Sequence, residues 1–97
     1  MKLVGRHLLT AFMKQHADVR GPLRAWVAEV EQAALTGPVD IKTKYPSASF
    51  LSDNEVIFNI KGNKYRLVVA INYPYRVCYV RFVGTHQAYD RINVVSV

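Results

Sequence analysis

The sequence predicts an α+β domain in which two N-terminal helices, an αα-hairpin, pack on one face of a small antiparallel β-sheet. Three observations carry that expectation. Apolar residues recur at helical spacing as far as Pro38. Beyond it β-branched and aromatic residues dominate. The apolar runs of that second part are joined by short turns.

In chain order, Leu8, Leu9, Phe12 and Met13 place an amphipathic helix over roughly residues 6–16. "ADVRGP" breaks it, and Pro22 suits the first turn of a second helix. Leu23, Trp26, Val27, Val30 and Ala34 form that helix's apolar stripe. "TGP" ends it, with Gly37 read as the C-cap. A short connection between two such helices implies a hairpin. "VDIKTKYP" holds a single helical turn. "ASFL", "EVIFNI", "KYRLVVAINY" and "VCYVRFVG" then read as strands of an antiparallel meander, with Gly84 as the end of the last.

The totals bound what the chain can do. Its 97 residues suit one domain over 1–97, and half of them are hydrophobic, which argues against disorder. No apolar run has the roughly 20 residues needed to cross a bilayer, and the start has no cleavage site of a signal peptide, so no membrane role is expected. Cys78 stands alone, which points to the cytoplasm and to an inert buried thiol. His7, His16 and His86 lack metal-ligand spacing, so no metal or cofactor is expected. The net charge of +6, from 13 Lys and Arg against 7 Asp and Glu, favours a polyanionic partner. The excess is spread along the chain, so any basic surface must be assembled by folding.

The turn Lys61-Gly62-Asn63-Lys64 suits a type II′ hairpin, which fixes register. Ile60 then faces Tyr65, Asn59 faces Arg66, and Phe58 faces Leu67. Alternation puts Val56, Phe58, Ile60, Tyr65, Leu67 and Val69 on the core side, and Asn59, Lys61, Lys64 and Arg66 on the other. A four-residue turn Tyr73–Arg76 sets Asn72 opposite Val77 and Val68 opposite Arg81. Arg81 thereby joins Arg66; a one-residue slip would drive it into the core, at high cost. This basic face reads either as the solvated side of a half-buried sheet or as a shallow binding groove, since Arg66 and Arg81 lie mid-strand beside Val68, Ala70 and Tyr79.

"GTHQAYD" follows. Thr85 is placed to cap a helical turn in which His86, Tyr89 and Asp90 share one face. Asp90 can hold the His86 tautomer, and Tyr89 can donate a proton or stack on a base. Alone, the stretch equally suits an ordinary capped strand end.

"VIFNIKGNKYRLVVAINY" and "VRFVGTHQAYDRI" together resemble the HigB toxins of bacterial toxin–antitoxin systems, within the wider RelE/ParE superfamily. The resemblance extends to "GRHLLTAFMKQHADVRGPLRAWVAEVEQA" and "KYPSASFL", nearly the whole chain, while "YPYRVCYV" departs from the family's usual turn. It implies a RelE-like fold and a cytoplasmic, ribosome-dependent mRNA endonuclease, neutralised by a HigA-type helix-turn-helix antitoxin. It further implies metal-free cleavage by attack of the RNA 2′-hydroxyl on the neighbouring phosphate. Carried onto this sequence, Arg66 and Arg81 would bind phosphate, His86 and Tyr89 would transfer protons or stack on bases, Asn59, Lys61 and Lys64 would contact RNA, the lysines by adding charge or by acting on the 2′-hydroxyl and Asn59 in a supporting place, and Asp90 would support the site. Which group is acid and which base stays open. The chain stops soon after Asp90-Arg91-Ile92, so no later extension is expected to supply catalytic groups. Two other readings fit the basic face: a ParE-like toxin that blocks gyrase, and a non-catalytic RNA-binding or interaction module.

Overall fold

The computed structural model describes residues 1–92; residues 93–97 of the expected domain lie outside that range. The architecture is α+β. In chain order it comprises β1 (Lys2–Val4), α1 (Arg6–Gln15), a 3₁₀ turn (Ala17–Val19), α2 (Arg20–Gln32), α3 (Pro38–Lys44), β2 (Ser49–Ser52), β3 (Glu55–Ile60), β4 (Tyr65–Asn72), β5 (Val77–Thr85) and α4 (His86–Arg91). Among the described residues, no helix is long and apolar enough to cross a membrane.

The sheet has five strands in the order β1-β5-β4-β3-β2. Strands β2 to β5 form the expected antiparallel meander, but β1 adds a parallel edge, with Lys2, Leu3 and Val4 opposite Val77, Cys78 and Tyr79. The sheet is therefore mixed. A three-residue strand whose partner lies at the far end of the chain leaves no local pattern to read. The helical layer is also broader than a two-helix hairpin. The stripe of α2 ends at Gln32, with Ala33 as the C-cap. Gly37 is extended and caps the start of α3, where Pro38 takes the first helical position. Thr36 donates from its amide and hydroxyl to the Asp40 carboxylate (2.9 and 2.7 Å), which steadies that start. The single turn expected there is a full helix.

The core lies between these helices and one face of the sheet. Leu9, Leu23, Trp26, Val30 and Ile41 meet Val56, Phe58, Ile60, Tyr65, Leu67 and Val69 in one buried cluster. Every strand residue assigned to the core by alternation is buried there. The other face is different. Ile57, Val68 and Phe82 lie abreast across β3, β4 and β5. Val68 is fully buried although it stands outside the main cluster. A second, smaller apolar patch thus supports the short helix α4, whose Tyr89 ring lies 6.1 Å from that of Phe82.

Candidate active site

The β3–β4 register is the expected one: Ile60 pairs with Tyr65, Asn59 with Arg66 and Phe58 with Leu67. Gly62 has φ +65°, which suits the first central position of the expected turn, and the Lys64 amide donates to the Lys61 carbonyl at 3.3 Å. Lys61 also has a positive φ, +54°. That conformation ends the strand alternation at Ile60 and turns both lysines off the Arg66 face. Their ammonium groups meet at one carboxylate of the helical layer: Asp18 Oδ2 accepts from Lys61 Nζ at 3.0 Å and from Lys64 Nζ at 2.7 Å. Asp18 Oδ1 accepts from the Tyr65 hydroxyl at 2.7 Å. These donors, Lys64 first, hold the Asp18 carboxyl well below the usual carboxylate range. Asp18 in turn raises Lys64 and Tyr65. The expectation that Lys61 and Lys64 share a face with Arg66 is corrected here. Residue spacing gives no sign of Asp18 or of the Tyr65 hydroxyl, because no local pattern links "ADVRGP" to "KGNKY".

The register of β5 also differs. Asn72 pairs with Val77 as expected, but a bulge between Val69–Val80 and Val68–Phe82 falls at Arg81. Arg81 therefore does not face Val68, and Gly84 takes the place opposite Arg66. The expected register presupposes a regular ladder; a bulge shifts the register and still keeps Arg81 out of the core. The bulge begins just past the reach of β1. There Arg81 lines a shallow cavity with Leu8, Phe12 and Gln15 of α1.

Gly84 does not end the strand; β5 runs on to Thr85. Its lack of a side chain has a spatial reason. A Cβ on Gly84 would sit 2.6 Å from Cζ of Phe82, so the Phe82 ring occupies that space. The ring meets Tyr89, and Arg66 is the cation that acts on the Tyr89 phenol. Burial pushes the Tyr89 phenol up, Arg66 pulls it down, and Asp90 raises it again. The net rise keeps its proton in place at neutral pH.

α4 begins as its sequence indicates. Thr85 Oγ1 accepts from the Ala88 amide at 3.0 Å. His86 Nε2 lies 3.2 Å from Asp90 Oδ2, one helical turn on, so the expected pair is present. The His86 amide donates to the Lys64 carbonyl at 2.9 Å. Arg66 Nη1 donates to the Asn63 carbonyl at 3.2 Å. Arg66, His86, Tyr89 and Asp90 are thus gathered around one turn and one short helix. Asn59 points elsewhere and donates to the Ser47 carbonyl at 3.0 Å. Cys78 is fully buried, and burial pushes its thiol up to about 12, which removes it as a nucleophile.

This arrangement offers a guanidinium, a protonated phenol and an imidazole oriented by a carboxylate, all near the surface. Such a set can bind an anion and move protons beside it. The family model for HigB toxins, described as the RelE-like toxic component of a toxin–antitoxin system, matches residues 19–92. The chain is 33% identical over 97 residues to the mRNA interferase toxin HigB of Escherichia coli strain K12, covering 98% of this chain and 93% of that protein. The same values hold for the mRNA interferase HigB of Escherichia coli O157:H7 and of Shigella flexneri. The chain belongs to the HigB toxin family.

Proposed function

We propose that this member of the HigB family is a ribosome-dependent mRNA endonuclease, a single toxin domain over 1–97 with the RelE-like fold that cuts RNA in the cytoplasm and is neutralised by a HigA-type helix-turn-helix antitoxin. The observation that carries the reading is the convergence of Arg66, Tyr89 and the His86–Asp90 pair on one side of the sheet. The names of the relatives, mRNA interferases, support the same reaction class.

In the proposed reaction the RNA 2′-oxygen attacks the neighbouring phosphorus and the bond to the 5′-oxygen breaks. One proton leaves the 2′-hydroxyl and one is delivered to the departing oxygen. Negative charge grows on the phosphate oxygens as this happens. Arg66 is suited to hold them, because a guanidinium fork binds phosphate through paired N–H donors. The Tyr89 phenol keeps its proton, so it serves as a donor or as a platform for a base rather than as the base of the reaction. His86, oriented by Asp90, presents an imidazole that can take up or hand on a proton beside the phosphate. Arg81 sits apart, on the bulge beside α1, and fits a phosphate further along the strand. Lys61 and Lys64, engaged by Asp18 off the Arg66 face, and Asn59, bound to the Ser47 carbonyl, take no direct part in this reaction.

The test is cleavage of a defined message on translating ribosomes by the purified protein. Cuts by the wild type that disappear with Arg66→Ala and His86→Ala, both still folded, are expected. Growth arrest without any new mRNA ends would instead favour gyrase blockade, and ribosome binding without cuts would favour a non-catalytic module.

A further inference from the structure

We infer that Asp18 is a positioning residue for this reaction: its carboxylate fixes the β3–β4 turn, from which both Arg66 and the His86 helix are hung. The inference rests on the nuclease reading of that same site.

The turn is poorly held by its own backbone. Two successive residues, Lys61 and Gly62, have φ +54° and +65°, and a lysine disfavours that conformation. Its closing hydrogen bond is long, at 3.3 Å. Yet its carbonyls carry the site. That of Asn63 receives Arg66 Nη1 at 3.2 Å, and that of Lys64 receives the His86 amide at 2.9 Å. Tyr65, the next residue, pairs with Thr85, whose hydroxyl caps α4. A shift of the turn moves the guanidinium and the imidazole together.

Asp18 binds the turn at both ends. It accepts from Lys61 and Lys64, and its second oxygen takes the hydroxyl of Tyr65. Tyr65 is 1% exposed, its ring packed edge-on to Phe12 and His16, so one of the three donors is fixed by the core. A single exposed ion pair has little holding power. Three donors converging on one carboxylate, one of them immobile, define a position. The link runs from the helical layer across the sheet end to the opposite face.

The experiment compares the wild type, Asp18→Ala and Asp18→Asn by turnover and KM in ribosome-dependent cleavage, and by hydrogen exchange of the His86 amide. With Asp18→Ala, turnover should fall about tenfold or more while KM stays within about twofold, because a misplacement of about 1 Å suffices for such losses. Exchange at His86 should quicken about tenfold, with Val69 in the core of β4 unchanged. Asp18→Asn, which keeps an acceptor for Tyr65, should fall between. Unchanged turnover overturns the inference. So does a lower KM at full turnover, which would mean that Asp18 merely masks the lysines, and so does lost turnover with unaltered His86 exchange. If Asp18→Ala fails to fold, Asp18→Asn carries the same two readings. If the wild type cuts no message, the nuclease reading fails, and the exchange arm still decides whether Asp18 places α4.

Discussion

The two faces of strand β4 are built from one run of eight residues and do opposite things. Tyr65, Leu67, Val69 and Ile71 turn toward the helices and are buried in the main cluster. Arg66, Val68, Ala70 and Asn72 turn the other way, where α4 covers only one end. The first face is closed by three helices and settles whether the chain folds. The second is only partly roofed, and it gathers the groups with chemistry. Apart from Tyr65, which the Asp18 carboxylate ties to the site, a substitution on one face should therefore spare what the other does.

The sharpest break in that comparison is on the core side. Leu67→Ala removes a fully buried side chain and should cost about 2–5 kcal/mol, read by urea denaturation. On the other face, Arg66→Ala should lower cleavage about 10²–10³-fold with the denaturation midpoint nearly unchanged. A large stability loss from Arg66→Ala would erase the division of labour. Gly84→Ala tests whether the faces are fully separate. Its new Cβ must displace the Phe82 ring and with it the support of Tyr89, so a loss of about 1–3 kcal/mol together with weaker cleavage is expected. Tyr89→Phe keeps the ring contact and deletes only the hydroxyl. If that hydroxyl donates a proton, cleavage should drop at least about tenfold with stability unchanged; if the ring only stacks, activity should persist.

The smallest effect concerns pH. Asp18 has a folded-state pKa held below its unfolded value, so its contribution is present above the ordinary carboxylate range. It is lost as the pH falls through the depressed folded value. Stability measured from neutral pH downward should decline in that acid window, and the decline should be shallower in Asp18→Asn.

The strands β3 and β4 are legible in the sequence because alternation and a short turn over-determine their pairing. Residue spacing alone assigns a side to each of Val56, Phe58, Ile60, Tyr65, Leu67 and Val69. The bulge at Arg81 is not legible, since alternation describes a regular ladder and a bulge is a departure from one. Thr85 and the His86–Asp90 pair are readable because both are local, within one helical turn. The Asp18 network is not, because its partners come from distant segments and the left-handed Lys61 overrides the alternation that assigned the lysines. Where contacts are local, residue spacing suffices; where they join distant segments, only the assembled fold supplies them.

The parallel pairing of Lys2–Val4 with Val77–Tyr79 also bears on how the molecule is made. Strand β1 pairs with a strand more than seventy residues further along, so this edge of the sheet is sealed only when both segments are available. Such long-range pairing slows folding. Until it forms, one side of β5 presents unpaired backbone groups to any neighbouring strand. The site-bearing helix α4 follows that same strand directly. The site is therefore completed late in folding, and its early vulnerability lies along the strand that also carries Arg81 and leads into α4.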